Sequence, residues 1–203
     1  MPRTAEANQQ IRAERKRQVL QAAASVFARK GLSDATIADI AAQAGVSHGL
    51  LYRHFASKED VFAAIIEQSL HEAMNLAQAA LEYSGTPWER IHWITTQIFP
   101  VESLGGRPDY FSVVLYALTN ESVPEQVRQQ AAKQGETIYR VIRQFIVEGQ
   151  AEGQVVAGNP DQLTRLYLSC IQGLVIGSTF SRQPDPGQPS IELVLRVLQP
   201  CTV

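Results

Sequence analysis

The sequence predicts an all-α fold, on three observations. Apolar residues recur three and four positions apart in one segment after another, no segment sustains the alternation of a strand, and helix-start residues and glycine or proline stops bracket the apolar segments. About nine helices and no sheet are expected over the 203 residues, with no internal repeat. A hydrophobic content of 45% suffices for one large helical domain or two small ones sharing an interface.

Each helix has its own start and stop. The first is expected from about Ile11 to Lys30, because Val19, Leu20, Ala23, Val26 and Phe27 keep helical spacing and Gly31 follows the basic pair Arg29 and Lys30. Thr36 with Asp39 three residues on is a capping-box signature ahead of Ile37, Ile40 and Ala41, and Gly45 closes that short second helix. Ser47 can cap a third helix, His48 to Phe55. Ser57 and Asp60 repeat the signature and open a fourth, about 58–84, which Gly85 ends. Thr86-Pro87-Trp88-Glu89 sets a cap, a first-turn proline and a glutamate in order, and Asn159-Pro160 starts another helix. Between them Pro100 and Gly105-Gly106-Arg107-Pro108 punctuate the chain, and Pro124 precedes a long pattern that fades at Gly149 and Gly153. Gln183 to Pro189, with three prolines, reads as a loop.

Composition excludes several classes. No apolar run reaches the roughly 20 residues of a membrane span, since Leu166 to Phe180 is interrupted by Ser169, Gln172 and Ser178. The polar, basic N-terminus is not a secretory signal, so a cytoplasmic protein is expected. Cys170 and Cys201 stand far apart without neighbours at metal-ligand spacing, and no disulfide framework, metal or cofactor is expected. Cys170, among Leu168, Ile171 and Leu174, is expected to be a buried, inert thiol, and His71 and His92 to be structural. The net charge of −2 is uneven: residues 1–60 hold nine cations against six carboxylates, and the remainder nine against fourteen. Arg12, Arg15, Lys16, Arg17, Arg29 and Lys30 carry most of the N-terminal excess, a footprint that suits phosphates.

The segment from Thr36 to Lys58 places a short helix, a turn at Gly45 and a second short helix at helix-turn-helix spacing, with the small Ala41 where the two would cross. Val46, Leu51 and Phe55 fall on one face of the second of these helices, leaving His48, Gly49, Leu50, Tyr52 and Arg53 outside. An outer Leu50 suits a thymine methyl, Arg53 a guanine, and Gly49 a close approach; with His48 these are the expected base contacts. Thr36, Ser47, Tyr52, His54 and Lys58 have the donors that phosphate contacts need.

This run resembles the TetR family of bacterial transcriptional regulators in its Thr36, Gly45-Val46-Ser47, Leu51-Tyr52-Arg53-His54-Phe55 and Lys58-Glu59. The resemblance covers the first quarter to third of the chain and implies an N-terminal three-helix DNA-binding domain, residues 1–56, then a C-terminal ligand-binding and dimerisation domain, residues 57–203, linked through the fourth helix. It implies a dimer on a near-palindromic DNA operator, released by a small-molecule effector, with an activator or architectural factor lacking an effector as the alternative. The absence of GxSxG, phosphate-loop and HExxH patterns argues against an enzyme.

The residues of the second part allow two further expectations. Ser169, Gly173, Gly177 and Ser181 form a row of small residues four apart, where a second copy could pack with Leu193 and Val197 of the last helix. Trp93, Phe99, Tyr110, Phe111, Tyr116, Tyr139 and Phe145 supply aromatic surface for an effector pocket, which would suit a largely apolar or aromatic molecule.

Overall fold

The computed structural model describes residues 5–98, 107–180 and 191–200. Among these residues the chain is helical throughout, with no strand: α1 (Ala5–Asp34), α2 (Ile37–Ala44), α3 (His48–Tyr52), α4 (Lys58–Glu82), α5 (Pro87–Ile98), α6 (Arg107–Thr119), α7 (Glu125–Ala151), α8 (Pro160–Phe180) and α9 (Ile191–Leu195). A 3-10 turn, Arg196–Leu198, follows. The expected 183–189 loop, Phe99, Pro100, Gly105, Gly106, Ser181 and Cys201 lie outside the described residues.

The start signals act as their chemistry requires. Thr36 and Asp39 form a reciprocal capping box, with Asp39 N–H donating to Thr36 Oγ1 at 3.1 Å and Thr36 N–H to Asp39 Oδ2 at 3.0 Å. Ser57 and Asp60 do the same at 3.1 and 3.0 Å, and Thr86 and Glu89 at 3.3 and 2.8 Å. Asn159 Oδ1 accepts from the amides of Asp161 and Gln162, at 2.9 and 3.1 Å, ahead of α8. Each side-chain oxygen satisfies amides that the first helical turn leaves without partners.

Helix stops differ more from expectation. Gly31 takes φ +70 and breaks the helical path after Lys30, and the chain turns once more before Asp34. Only glycine adopts that φ without strain, and a Cβ there would lie 3.2 Å from the Tyr116 ring. Gly45 closes α2 in the left-handed conformation, its amide donating to the carbonyls of Ala41 and Ala42. The third helix ends at Tyr52 and not at Phe55. Both His54 and Phe55 turn their amides onto Leu51 O, at 2.9 and 3.0 Å, and this tight turn carries the Phe55 ring into the core.

The helices form two compact units. The first combines the chain up to Ser69 with Asp109–Ala131; the second combines Leu70–Pro108 with the chain from Ala132 onward. Val19, Leu20, Ala23, Ala24, Val26 and Phe27 of α1 are buried with Ile40 and Leu51, and with Phe55, Val61, Phe62, Ile65 and Ile66. Val113, Val114 and Ala117 of α6, then Val123 and Ala131, are buried in the same cluster, so the compact N-terminal unit is larger than residues 1–56. The reason is size: α2 and α3 have eight and five residues, too few to cover α1 and the start of α4. Phe62 links the parts, edge-on to Phe27 at 5.3 Å and to Tyr116 at 6.0 Å.

The second unit buries Ile91, Ile94, Val141, Ile142, Phe145, Ile146, Tyr167, Ile171, Ile191 and Leu195. Its interior also holds a satisfied polar pair. The hydroxyl of Thr95 donates to Ile91 O, so the Tyr167 hydroxyl, 2.6 Å away, donates to Thr95 Oγ1. Burial pushes the Tyr167 phenol upward and keeps it neutral. At the opening of α8, Arg143 grips Asp161 with Nε and Nη2, at 2.8 and 3.3 Å, while Tyr139 donates to the same carboxylate at 2.6 Å.

Candidate DNA-reading surface

The helix-turn-helix is built from α2 and α3, and α1 fixes α2 along its length. Lys30 Nζ lies 2.8 Å from Asp39 Oδ1, and Arg29 donates to Gln43 Oε1 at 3.1 Å. The Lys30 ammonium and then the Thr36 hydroxyl and amide hold the Asp39 carboxyl at about 2, below its ordinary 3.8. Sequence reading misses these ties, because residues nine and fourteen apart across a turn leave no periodic signal.

Of the nine expected contact residues, the structure brings five together on an open surface. His48, Gly49, Tyr52, Arg53 and His54 are all exposed, Tyr52 at 57%. The side chains of His48, Tyr52 and Arg53 have no hydrogen-bond or ionic partner among the described residues. Directly behind them Leu51 is 1% exposed, so the anchor and the open face are adjacent in sequence and opposite in space. Leu50 is half-buried rather than outside, packed partly into the motif.

Three expected phosphate donors differ in what they have left to give. Ser47 Oγ accepts from Leu50 N–H at 3.3 Å and retains its hydroxyl hydrogen. The single hydroxyl hydrogen of Thr36 goes to Asp39 Oδ2 at 2.8 Å, which makes Thr36 a cap and not a free donor. Lys58 Nζ donates to the carbonyls of Ser33 and Ala35, at 2.7 and 3.0 Å. Two of its three hydrogens thus close the turn between α1 and α2, so Lys58 positions the motif from within.

In the second half of the chain the expected sets fare differently. Of the seven aromatics, Tyr110 and Tyr116 pack on the first unit's core, and Trp93, Tyr139 and Phe145 belong to the second unit. Trp93 stacks on Tyr83 at 5.3 Å, and Phe145 is fully buried under the Arg90 guanidinium at 5.7 Å. Phe111 lies on α6, with its side chain outside the description. Ser169, Gly173 and Gly177 are exposed on α8, and no described atom lies within 4 Å of where a Cβ would stand at either glycine. Leu166 and Leu193 are each 51% exposed, and Val197 is half-buried. Cys170 is half-buried instead of buried, at the edge of the α8 stripe that Ile171 leads inward. His71 and His92 are exposed, and the described residues include no group of three metal-ligating side chains. No described helix is long and apolar enough to cross a membrane.

The family profile described as bacterial regulatory proteins, tetR family, matches residues 19–65. The match opens at the buried Val19 of α1 and closes inside α4, enclosing the helix-turn-helix. Over this segment the chain is similar to tetR-family regulatory proteins. Curated relatives include the HTH-type transcriptional repressor DhaR of Mycobacterium sp. (strain GP1), 26% identical over 87% of this chain and 88% of that one. The HTH-type transcriptional repressor KstR2 of Mycolicibacterium smegmatis is 37% identical, over 39% of this chain and 38% of its own length. Among solved structures, the ketosteroid transcriptional regulator KstR2 of Mycobacterium tuberculosis shares the fold at a TM-score of 0.72 with 21% identity, over 91% and 95% of the two chains. A transcriptional regulator from Saccharomonospora viridis, in complex with choline, does so at 0.70 with 24% identity, over 91% and 94%. The two curated relatives are named as transcriptional repressors and the two solved structures as transcriptional regulators.

Proposed function

We propose that the protein is a ligand-responsive repressor that binds a near-palindromic DNA operator as a homodimer and leaves it when a small molecule binds. The reading rests on the α3 face, where His48, Gly49, Tyr52 and Arg53 stand open and unpartnered on a helix anchored by Leu51. Arg53 and Gly49 suit base edges, with Leu50 and His48 beside them, while Ser47, Tyr52 and His54 suit flanking phosphates. Thr36 and Lys58 serve by holding the motif in shape.

Dimer formation through α8 and the last helix is supported by the open face of Ser169, Gly173 and Gly177 beside the exposed Leu166 and Leu193. Small residues allow two helices to approach closely, and a two-fold axis would set two α3 helices about one DNA turn apart, roughly 34 to 36 Å, or a multiple of it. The effector part is assigned to the chain beyond residue 56. Support comes from the second unit's apolar interior, in which Thr95, Thr164 and Tyr167 supply neutral hydroxyls. A largely apolar or aromatic effector fits that chemistry. Release requires only that the effector favour one head arrangement by about 1 to 3 kcal/mol, a 5- to 150-fold change in operator affinity.

The test is selection from random duplex DNA by the purified chain at near-physiological salt, with Tyr52→Ala alongside. A near-palindrome enriched by wild type and lost in Tyr52→Ala supports the reading. No enrichment sinks it, and enrichment of a near-palindrome whose binding no metabolite extract alters favours an effector-free DNA-binding factor.

A further inference from the structure

The run of cations ahead of the head has no role in the α3 face. The backbone of α1 is helical from Ala5, and residues 14–18 are all exposed ahead of the buried Val19. At about 1.5 Å per residue, residues 14–18 carry roughly 7 Å of exposed helix ahead of the core.

The charges on this extension are sorted by face. Glu14, the one carboxylate between Ile11 and Gln18, accepts from Arg17 Nε and Nη2 at 3.0 and 2.7 Å and from Gln18 at 3.2 Å. Its carboxyl is held below the ordinary value, chiefly by Arg17. The carboxylate is therefore spent on Arg17, and Arg15 and Lys16 stand exposed without a hydrogen-bond or ionic partner among the described residues. Residues four apart share a helix face, so Arg15 precedes Val19 and Lys16 precedes Leu20 on the stripes that enter the core. The face that is apolar and buried inside the head thus turns cationic where the head ends.

We infer that the exposed start of α1 ahead of Val19 is a second DNA-contact element, with Arg15 and Lys16 placed for phosphates flanking the site that α3 reads. The inference rests on the DNA-binding reading given above. Between Ile11 and Gln18 only Ile11 and Ala13 are apolar, too little for a coiled partner helix or for insertion at a lipid surface, and uncompensated cations fit a polyanion. The contact adds affinity without sequence preference.

The experiment is a salt titration of the full chain on a random-sequence DNA duplex, from about 50 to about 200 mM salt, by fluorescence anisotropy. R15Q/K16Q is compared with wild type and with K133Q/R140Q, which removes the same charge from exposed positions on α7. The R15Q/K16Q slope of log affinity against log salt should fall in magnitude by about 2 for each protomer bound, so its deficit at about 50 mM exceeds that at about 200 mM by about tenfold per protomer, or about a hundredfold for a bound dimer. The α7 control should keep the wild-type slope, and circular dichroism should be equal for all three. An unchanged slope in R15Q/K16Q, or the same loss in the control, overturns the inference and leaves the α3 reading standing. Failure of wild type to bind the duplex overturns that reading and the inference with it.

Discussion

The outer face of α3 and the open face of α8 are both surfaces that their own unit leaves uncovered, and they are built in opposite ways. On α3, five residues held by the Ser47 cap and the Leu51 anchor display hydrogen-bonding and charged groups. On α8, twenty-one residues display the small Ser169, Gly173 and Gly177 behind the exposed Leu166. The first face suits a partner read by its polar edges, and the second a partner met by close packing. A polar reading face is specified within a few residues of itself, whereas a packing face acquires meaning only from what lies against it.

The largest expected effect separates two neighbours on α3. Leu51→Ala empties a fully buried site and should cost about 2 to 5 kcal/mol in urea unfolding. Tyr52→Ala, one residue away and exposed, should stay within about 0.5 kcal/mol of wild type while losing operator binding. If both variants lose stability alike, the separation of anchor from reading face is wrong. Next in size, Gly173→Leu should fold normally, since no described atom waits where its Cβ would stand, but should weaken self-association by about tenfold or more through overpacking of a close helix contact. Sedimentation equilibrium that finds it as dimeric as wild type would remove α8 from the interface.

The smallest effect compares the supports of the two faces. Asp39 behind the α3 motif and Asp161 at the start of α8 are each held at about 2, below the ordinary 3.8, by Lys30 and Arg143 respectively. A carboxyl whose folded value is depressed stabilises the fold above its unfolded value, and that contribution is lost as pH falls through the folded one. Thermal midpoints should therefore decline between pH 3.8 and about 2, and D39N and D161N should each flatten part of that decline. An acid limb identical in wild type and both variants would show that neither pair supports its region.

Much of the α3 face is legible in the amino-acid sequence. Thr36 and Asp39, Ser57 and Asp60, and Thr86 and Glu89 mark helix starts because a cap and its amide lie three residues apart. Thr36 and Lys58 read in sequence as phosphate contacts and prove to be internal ties, since sequence shows that a donor exists but not that Asp39, Ser33 and Ala35 already use it. The aromatics show the same limit. Helical spacing marks Tyr116 as inward-facing, and only the packing of its ring on Phe62 and Gly31 reveals which core it enters.

By itself, the sequence determined the helices, most of their starts and the helix-turn-helix, with His48, Gly49, Tyr52 and Arg53 on its exposed side, because periodicity, capping and turn chemistry act within a few residues. Tertiary structure decided that Asp109–Ala131 completes the N-terminal unit, that Lys58 seals the α1–α2 turn, and that Gly173 and Gly177 stand open among the described residues. Those facts depend on which distant side chains share a core, and the chain's local chemistry carries no record of that.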